Sequence, residues 1–402
     1  MNILIINTGD IRGGAAKIAY SLKQGMSKLG HNCDMFVSSK SSQDKNVHVI
    51  PKTEWQRRFS YYFATDLNFW KTDWILQTEI FKKADIIHCH NLHGNYFNLN
   101  TLKKMAALKP VIWTLHDMWA MTPHCAHAFD GKIKNGLFTC PSLDIYPKIA
   151  WHNELYLSWK KNKIYNSSKF HVVVPSKWLM QKAEQSVLQS QKISLIYNGI
   201  DTNIFHQKNK MEMKRKLGLP ENKMVIAFLA DSGKNNPWKG WEYTENIIKS
   251  DFIDAHFICI GGEKPKENPN DKVQYINYIK DEATIAEYLS ASDIFLYPSL
   301  ADSFPLVVIE ALSCGTPVVT FKTGGIPEIV SHKENGYVAK YMDIDDLKKG
   351  LLYIKNLSLK DSEAMINRSI EKIAKNFSAD EMVANYLSVY QSELDSINKL
   401  SK

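Results

Sequence analysis

The chain has 402 residues, 44% of them hydrophobic, which is enough for packed cores and too much for a disordered chain. Its formal net charge of +8 is spread along the length with no block of like charge. That fits an anionic small substrate or an anionic membrane surface and leaves no concentrated footprint for nucleic acid. No apolar run approaches the ~18 residues of a membrane span. The six cysteines, at 33, 89, 125, 140, 259 and 314, contain no C-x-x-C pair, so reduced thiols in a cytoplasmic protein are expected.

The first residues, "MNILIINTGD", read as a strand running into a loop, not as a secretory leader. The loop continues "RGGAAKIAY" and opens a helix, where Gly13 and Gly14 let backbone approach a ligand and a helix N-terminus favours an anion. The spacing is not G-x-G-x-x-G, which argues against a dinucleotide-binding dehydrogenase. Further short apolar runs follow: "CDMFVS", "VHVI", "DIIHCH", "PVIWTL", "FHVVVP" and "KISLIYN". Bounded by turn residues and alternating with helical segments, they read as a parallel sheet covered on both faces.

Residues 52–74, "KTEWQRRFSYYFATDLNFWKTDW", set Trp55, Phe59, Tyr61, Tyr62, Phe63, Phe69, Trp70 and Trp74 among basic residues. Such a segment makes either a membrane- or acceptor-facing surface or an aromatic core. The strand "VIWTL" ends in His116-Asp117, at a carboxyl edge, where a His beside an Asp can orient a hydroxyl or shuttle a proton. His124, Cys125, His127 and Cys140 are metal-ligand types without a regular zinc spacing, and His88, His90 and His93 read as loop packing or an acceptor contact.

An Asn-Gly turn and a polar stretch over 197–210 mark a break. We place the domains at 1–200 and 201–378, with a terminal helix over 379–402. The second block repeats the alternation with "MVIAFLA", "AHFICIG", "KVQYIN", "DIFLYP" and "TPVVTF". Each block is therefore a doubly wound α/β domain, in which ligands sit outside the carboxyl ends of the strands. After "MVIAFLA", Lys234 and Lys239 flank a loop and can hold a diphosphate as point charges. "DIDD" at 343–346 precedes a helix and reads as cap and dipole partner, not as a metal site.

The stretch "PSLADSFPLVVIEALSCGTPVVT", residues 298–320, raises its own question. Pro305 stands at the first helical position and Gly315 ends the helix. Asp302 and Ser303 lie just outside the N-terminus, and the N–H groups of Phe304 and Leu306 are expected free for an anion. Asp302 would then turn toward neutral hydroxyls. Glu310, inside an apolar run, needs hydrogen-bond donors, and a ribose diol supplies two. A sugar nucleotide carries ribose, phosphate and neutral hydroxyls together.

These segments resemble the retaining glycosyltransferases of family 4, which have the GT-B fold of two Rossmann-like domains facing across an interdomain cleft. "DSFPLVVIEALSCGTPVV" is similar to that family's E-x7-E signature. "RGGAA", "TLHDMW", "PSKWL", "YNGIDTNIF", "KGW" and "TGGIPEIV" match its other landmarks in order. "HNLHGNYFNL" and "HDMWAMT" are most similar to the colanic-acid, exopolysaccharide-building branch. The resemblance spans nearly the whole chain. It implies Gly13 and Gly14 near the donor phosphate, His116 at the donor sugar or reaction centre, and Lys234 and Lys239 on the diphosphate. It implies Asp302 with Ser303, Phe304, Pro305 and Leu306 on sugar and phosphate, and Glu310 on the ribose. It also implies retention, independence of metal and of any resident cofactor, and a tail helix packed back on the first domain. Three positions depart from the pattern. Asp302 replaces the usual Glu, Lys234 replaces a commoner Arg and so loses its bidentate fork, and the cysteines after "HDMW" are fewer.

The reading is therefore a transferase moving a sugar from a nucleoside-diphosphate-sugar to a saccharide acceptor, expected to be lipid-linked. It would work in the cytoplasm, with peripheral contact at the inner membrane surface and no nucleic-acid partner. Two alternatives stand beside it: a sugar-nucleotide epimerase of the same fold, and a non-catalytic sugar-nucleotide-binding partner of another transferase.

Overall fold

The computed structural model describes residues 1–67, 69–129, 131–134, 136–229, 237–250, 252–262 and 272–400. The chain divides into two compact units, Met1–Asn198 with the chain from Ala379, and Gly199–Ser378.

The first unit is built on seven strands: β1 (Asn2–Gly9), β2 (Asn32–Ser39), β3 (Val47–Val49), β4 (Ile86–Cys89), β5 (Val111–Thr114), β8 (His171–Val174) and β9 (Lys192–Leu195). Their order is β3-β2-β1-β4-β5-β8-β9, all pairs parallel. The β4, β5 and β8 strands are buried along their whole length, as their unbroken apolar runs require of a sheet covered on both faces. Between β5 and β8 lies a small antiparallel hairpin, β6 (Ile133–Lys134) with β7 (Leu137–Phe138), which the sequence reading did not anticipate. Its strands are too short to carry a period-2 signal.

The second unit holds β10 (Met224–Leu229), β11 (Ala255–Ile260), β12 (Val273–Ile276), β13 (Ile294–Tyr297), β14 (Val318–Phe321) and β15 (Gly336–Ala339). The order is β12-β11-β10-β13-β14-β15, again all parallel. The edge strand β15 was missed because it is short and opens on a glycine after the polar run "HKEN". That glycine is there for packing: a Cβ on Gly336 would press into Val318 O and Val330. The chain enters and leaves this unit side by side, since Ile200 bridges Ser378 in parallel and Ile200 N–H donates to Phe377 O at 3.0 Å.

The tail helix, Ala379–Leu400, belongs to the first unit. Tyr390 OH meets His88 Nδ1 at 2.6 Å and Tyr386 OH meets Thr114 Oγ1 at 2.8 Å. Glu393 takes the His171 ring at 2.9 Å. The helix buries Met382, Val383, Tyr386 and Tyr390, a tighter stripe than the 382/386/389/394 spacing read from sequence. Gly25 gives it room, because a Cβ there would run into Val383.

In both sheets the sequence direction reverses beside the first strand, between β1 and β4 and between β10 and β13. Loops leaving two adjacent parallel strands at one carboxyl edge form a crevice for ligand. Of the candidate residues, Gly13 and Gly14 follow β1, Lys239 follows β10 and Asp302 follows β13.

Candidate functional site

In the first unit, the loop after β1 is tied to its neighbours. Thr8 Oγ1 donates to Asn91 O and His93 O, at 3.1 and 3.2 Å. Asp10 accepts from the backbone N–H groups of Ile11, Ser41 and Ser42. Burial would raise its pKa, but those donors outweigh it and hold the carboxylate ionised. Gly13 follows with φ +91°, preceding the Gly14–Lys28 helix, and a Cβ there would meet nothing within 4 Å. The glycine is thus required by backbone conformation, and it leaves the helix end open. Gly13 and Gly14 are both exposed.

The loops after β4 and β5 carry a network of imidazoles. His116 Nε2 lies 2.9 Å from His90 Nδ1, the two rings stacked at 5.2 Å. Burial lowers the His116 pKa to about 4, despite the opposing pull of Asp117, so the ring is neutral at pH 7. His93 Nε2 meets Asp117 Oδ2 at 2.7 Å, and Trp119 N–H donates to Asp117 Oδ1 at 2.8 Å. Burial would raise the Asp117 pKa, but His93 and the Trp119 N–H bring it to about 2. His116 and Asp117 are adjacent in sequence yet serve different partners.

Behind them sits a lysine that sequence reasoning missed. Lys161 is fully buried, donates to Trp119 O and Thr122 O, and lies 3.6 Å from the Trp119 ring centroid. Burial lowers its pKa to about 7, against the pull of Asp66 and Asp117. Nothing in "LSWKKNKIY" distinguishes Lys161 from its half-buried neighbour Lys160.

Cys125 and Cys140 form a disulfide, with Cα atoms 5.9 Å apart, which corrects the expectation of reduced thiols for this pair. Approach in the fold, not C-x-x-C spacing, decides pairing. Cys33, Cys89, Cys259 and Cys314 are free and buried. His124 Nδ1 is engaged by Pro147 O. Among the described residues no group of three His, Cys, Asp or Glu side chains is arranged to hold a metal ion.

The 52–74 segment splits. Trp70 is buried, whereas Trp55, Phe59, Tyr61, Tyr62 and Phe63 are exposed, Tyr62 at 69%. Phe59 stacks on Phe63 and packs edge-on against Trp55. Residues 151–159 extend the same face: Trp151 Nε1 donates to Tyr62 O at 2.8 Å and Asn153 Nδ2 to Phe63 O. Trp151, Leu155, Tyr156 and Trp159 are exposed as well.

In the second unit, β10 and β13 are neighbours, with Phe228 beside Leu296, so the loops that follow them meet. Lys234 lies outside the described residues. Lys239 ends the Pro237–Lys239 turn, which is laced to the segment after β13. Trp238 O accepts from Leu300 N–H at 2.8 Å and from Ser299 Oγ at 3.0 Å. Gly240 follows at φ +63°, and a Cβ there would collide with the Pro298 carbonyl. This close packing carries Lys239 Nζ to 3.0 Å from Tyr297 OH and 3.3 Å from Asp302 Oδ2. Burial would lower the Lys239 pKa, but Tyr297 and Asp302 outweigh it and keep the ammonium charged above the ordinary lysine range.

Asp302 is thus held inside the protein. Its Oδ2 accepts from Tyr297 OH at 2.7 Å as well as from Lys239, and its Oδ1 accepts from Phe304 N–H at 3.2 Å. The Phe304 N–H is therefore not free, contrary to the sequence reading, because a short Asp side chain two residues back can turn onto it. Ser303 and Phe304 are buried; Phe304 contacts the Phe377 ring at 5.7 Å and Ser303 O accepts from Gly325 N–H. Pro305 is the cap residue of the Leu306–Ser313 helix, one position earlier than expected. Leu306 opens the helix, and Glu310 follows one turn later, only 6% exposed. Asp343 caps the Ile344–Lys355 helix by accepting from Asp346 N–H.

Comparison with known proteins accords with this geometry. Residues 12–204 match the family described as Glycosyltransferase Family 4, and residues 209–372 match Glycosyl transferases group 1. A putative colanic acid biosynthesis glycosyl transferase, WcaC, of Escherichia coli K12 is 24% identical over 76% of this chain and 76% of its own. A UDP-Gal:alpha-D-GlcNAc-diphosphoundecaprenol alpha-1,3-galactosyltransferase of Escherichia coli is 30% identical over 40% of this chain and 45% of that protein. Among solved structures, Anabaena Alr3699/HepE, in complex with UDP-glucose, superposes with a TM-score of 0.64 at 16% identity, covering 96% of this chain and 99% of that one.

Proposed function

The chain belongs to glycosyltransferase family 4, with the two-domain Rossmann-like GT-B fold, and from that premise we propose that it transfers a sugar with retention from a nucleoside-diphosphate-sugar to a saccharide acceptor. The observation that carries the reading is the convergence of Lys239, Asp302 and the Leu306 helix end at one sheet edge, with Glu310 one turn further. Lys239, with Lys234, takes the diphosphate, and the N–H groups at Leu306 add the partial charge of the helix end. Glu310 takes the ribose diol. Asp302 holds Lys239 and the Phe304 backbone in place and reaches the donor sugar with its remaining acceptor capacity.

Transfer then follows a front-face course. The bond from the anomeric carbon to the phosphate oxygen breaks, the acceptor oxygen bonds to the same face, and its proton passes to the departing phosphate. Lys239 and the helix end stabilise the charge that develops there. His116, neutral at working pH, serves as hydrogen-bond partner to the sugar, and Gly13 and Gly14 leave their helix end accessible to a phosphate. The diphosphate is held by fixed protein charges, so the nucleotide sugar is a co-substrate and no resident cofactor or metal is invoked.

The acceptor is a saccharide, lipid-linked, of bacterial surface polysaccharide synthesis. The galactosyltransferase relative acts on a diphosphoundecaprenol-linked sugar by its name, and WcaC is named for colanic acid. We place the enzyme in the cytoplasm, peripheral on the membrane. The exposed aromatic face over 55–63 and 151–159, with Arg57, Arg58, Lys160 and Lys163 beside it, supports that contact. No helix among the described residues is long and apolar enough to cross a membrane.

The test is incubation with a panel of UDP- and GDP-sugars, with and without saccharide acceptors. The reading expects nucleoside diphosphate to be released, with acceptor accelerating release beyond slow hydrolysis. Conversion to a different sugar nucleotide without acceptor would mean an epimerase. Stabilisation without turnover would mean a binding partner.

A further inference from the structure

Tyr297 ends β13, only 4% exposed, its ring stacked near Phe295 at 6.0 Å. Its hydroxyl donates to Asp302 Oδ2 at 2.7 Å and accepts from Lys239 Nζ at 3.0 Å. The direct approach of Lys239 to Asp302 is longer, 3.3 Å. A phenol has one proton to give and lone pairs to accept with. It therefore stands between cation and carboxylate, bonded to each. Asp302 is one methylene shorter than the glutamate its position resembles, and its Oδ1 is committed to the Phe304 N–H. The carboxylate cannot swing toward Lys239 without releasing that N–H. The tyrosine, fixed on a buried strand, spans the gap. The Lys239 ammonium also lies 5.4 Å from the Tyr297 ring centroid, a second hold on the same group.

We infer that Tyr297 is a positioning residue for the transfer reaction: its hydroxyl fixes the Lys239 ammonium for the diphosphate and keeps Asp302 from closing on that ammonium as a tight ion pair. The inference rests on the reading of Lys239 as a diphosphate-binding cation. A lysine stem is flexible, and its ammonium is a point charge with no geometry of its own. Placement must come from its neighbours. Among the described residues, two of its three N–H groups are spent on Tyr297 and Asp302, which leaves the third, with the charge, for an anion.

The experiment titrates wild type, Tyr297→Phe, Lys239→Met and the double variant with UDP, GDP and ADP by calorimetry, at a temperature where thermal unfolding shows each folded. Tyr297→Phe should weaken the best-bound nucleotide roughly tenfold or more. Lys239→Met should weaken it at least as much. The double variant should bind no more weakly than Lys239→Met alone, because Tyr297 acts through Lys239. A merely structural tyrosine would give losses that add. Wild-type affinity in Tyr297→Phe, or simple additivity, overturns the inference while leaving the donor site intact. A wild type that binds none of the three, or a Lys239→Met variant that binds normally, overturns the donor reading and the inference with it.

Discussion

Replacing Lys239 with methionine removes the charge and keeps the length of the side chain, so the variant separates electrostatics from packing. Among the described residues, Lys239 contributes one hydrogen bond to Tyr297 and one charged contact to Asp302 at 3.3 Å. The side chains of Lys239 and Asp302 are 26% and 20% exposed. Asp302 keeps its bonds from Tyr297 and the Phe304 N–H in the variant, so the cost to folding should be about 1 kcal/mol. The loss in nucleotide binding should be larger. A charge-assisted contact to a diphosphate contributes about 1.5–3 kcal/mol, which is about ten- to a hundred-fold in Kd. The assay is calorimetric titration with UDP beside thermal unfolding of the same samples. Affinity within about twofold of wild type, together with a lowered unfolding temperature, would refute the reasoning, because Lys239 would then be a partner for Asp302 alone.

Asp293 pairs with Lys210 and the buried Lys214 and accepts from Val225 N–H, so Asp293→Asn should cost about 3 kcal/mol at neutral pH. Burial would raise its pKa, but Lys210, the Val225 N–H and Lys214 lower it; the stabilisation is present above the ordinary aspartate pKa and lost as pH falls through the lowered one, so the gap from wild type in urea unfolding should narrow below about pH 4. His116, with its pKa lowered to about 4 chiefly by burial, stays neutral at pH 5–8, so a rate profile that loses an inflection near pH 6.5 in His116→Asn would contradict this. Vesicles of anionic lipid should float the protein at low salt, and Trp55→Ala with Tyr62→Ala should weaken that flotation; absence of wild-type binding sinks the membrane contact.

The fold was legible because each central strand is a short unbroken apolar run, and parallel sheets buried on both faces demand that. β15 was not, since Gly336 and Ala339 carry little signal and the strand exists through its fit against β14. Of the candidate site, the burial of Glu310 and the strand-end positions of Lys239 and His116 were legible, the first because a carboxylate in an apolar run is costly to bury, the others because a loop leaves a strand end. Its internal bonding was not. That Tyr297 and Lys239 hold Asp302 was hidden, because Tyr297 ends β13 and Lys239 follows β10, two strands that only the sheet order brings together. Lys161 and the Cys125–Cys140 disulfide were hidden for the same reason: burial and approach belong to the fold, not to the local pattern.

The central claim is that the 302–310 stretch receives the nucleotide of a sugar donor, and a nucleoside diphosphate titration of Glu310→Ala tests it most directly. If Glu310 holds the ribose, its loss removes charge-assisted bonds of about 1.5–3 kcal/mol together, and affinity should fall about ten- to a hundred-fold while the protein remains folded. A Glu310→Ala variant that binds the nucleotide as wild type does, and unfolds at lower temperature, would make Glu310 a structural carboxylate and contradict the account.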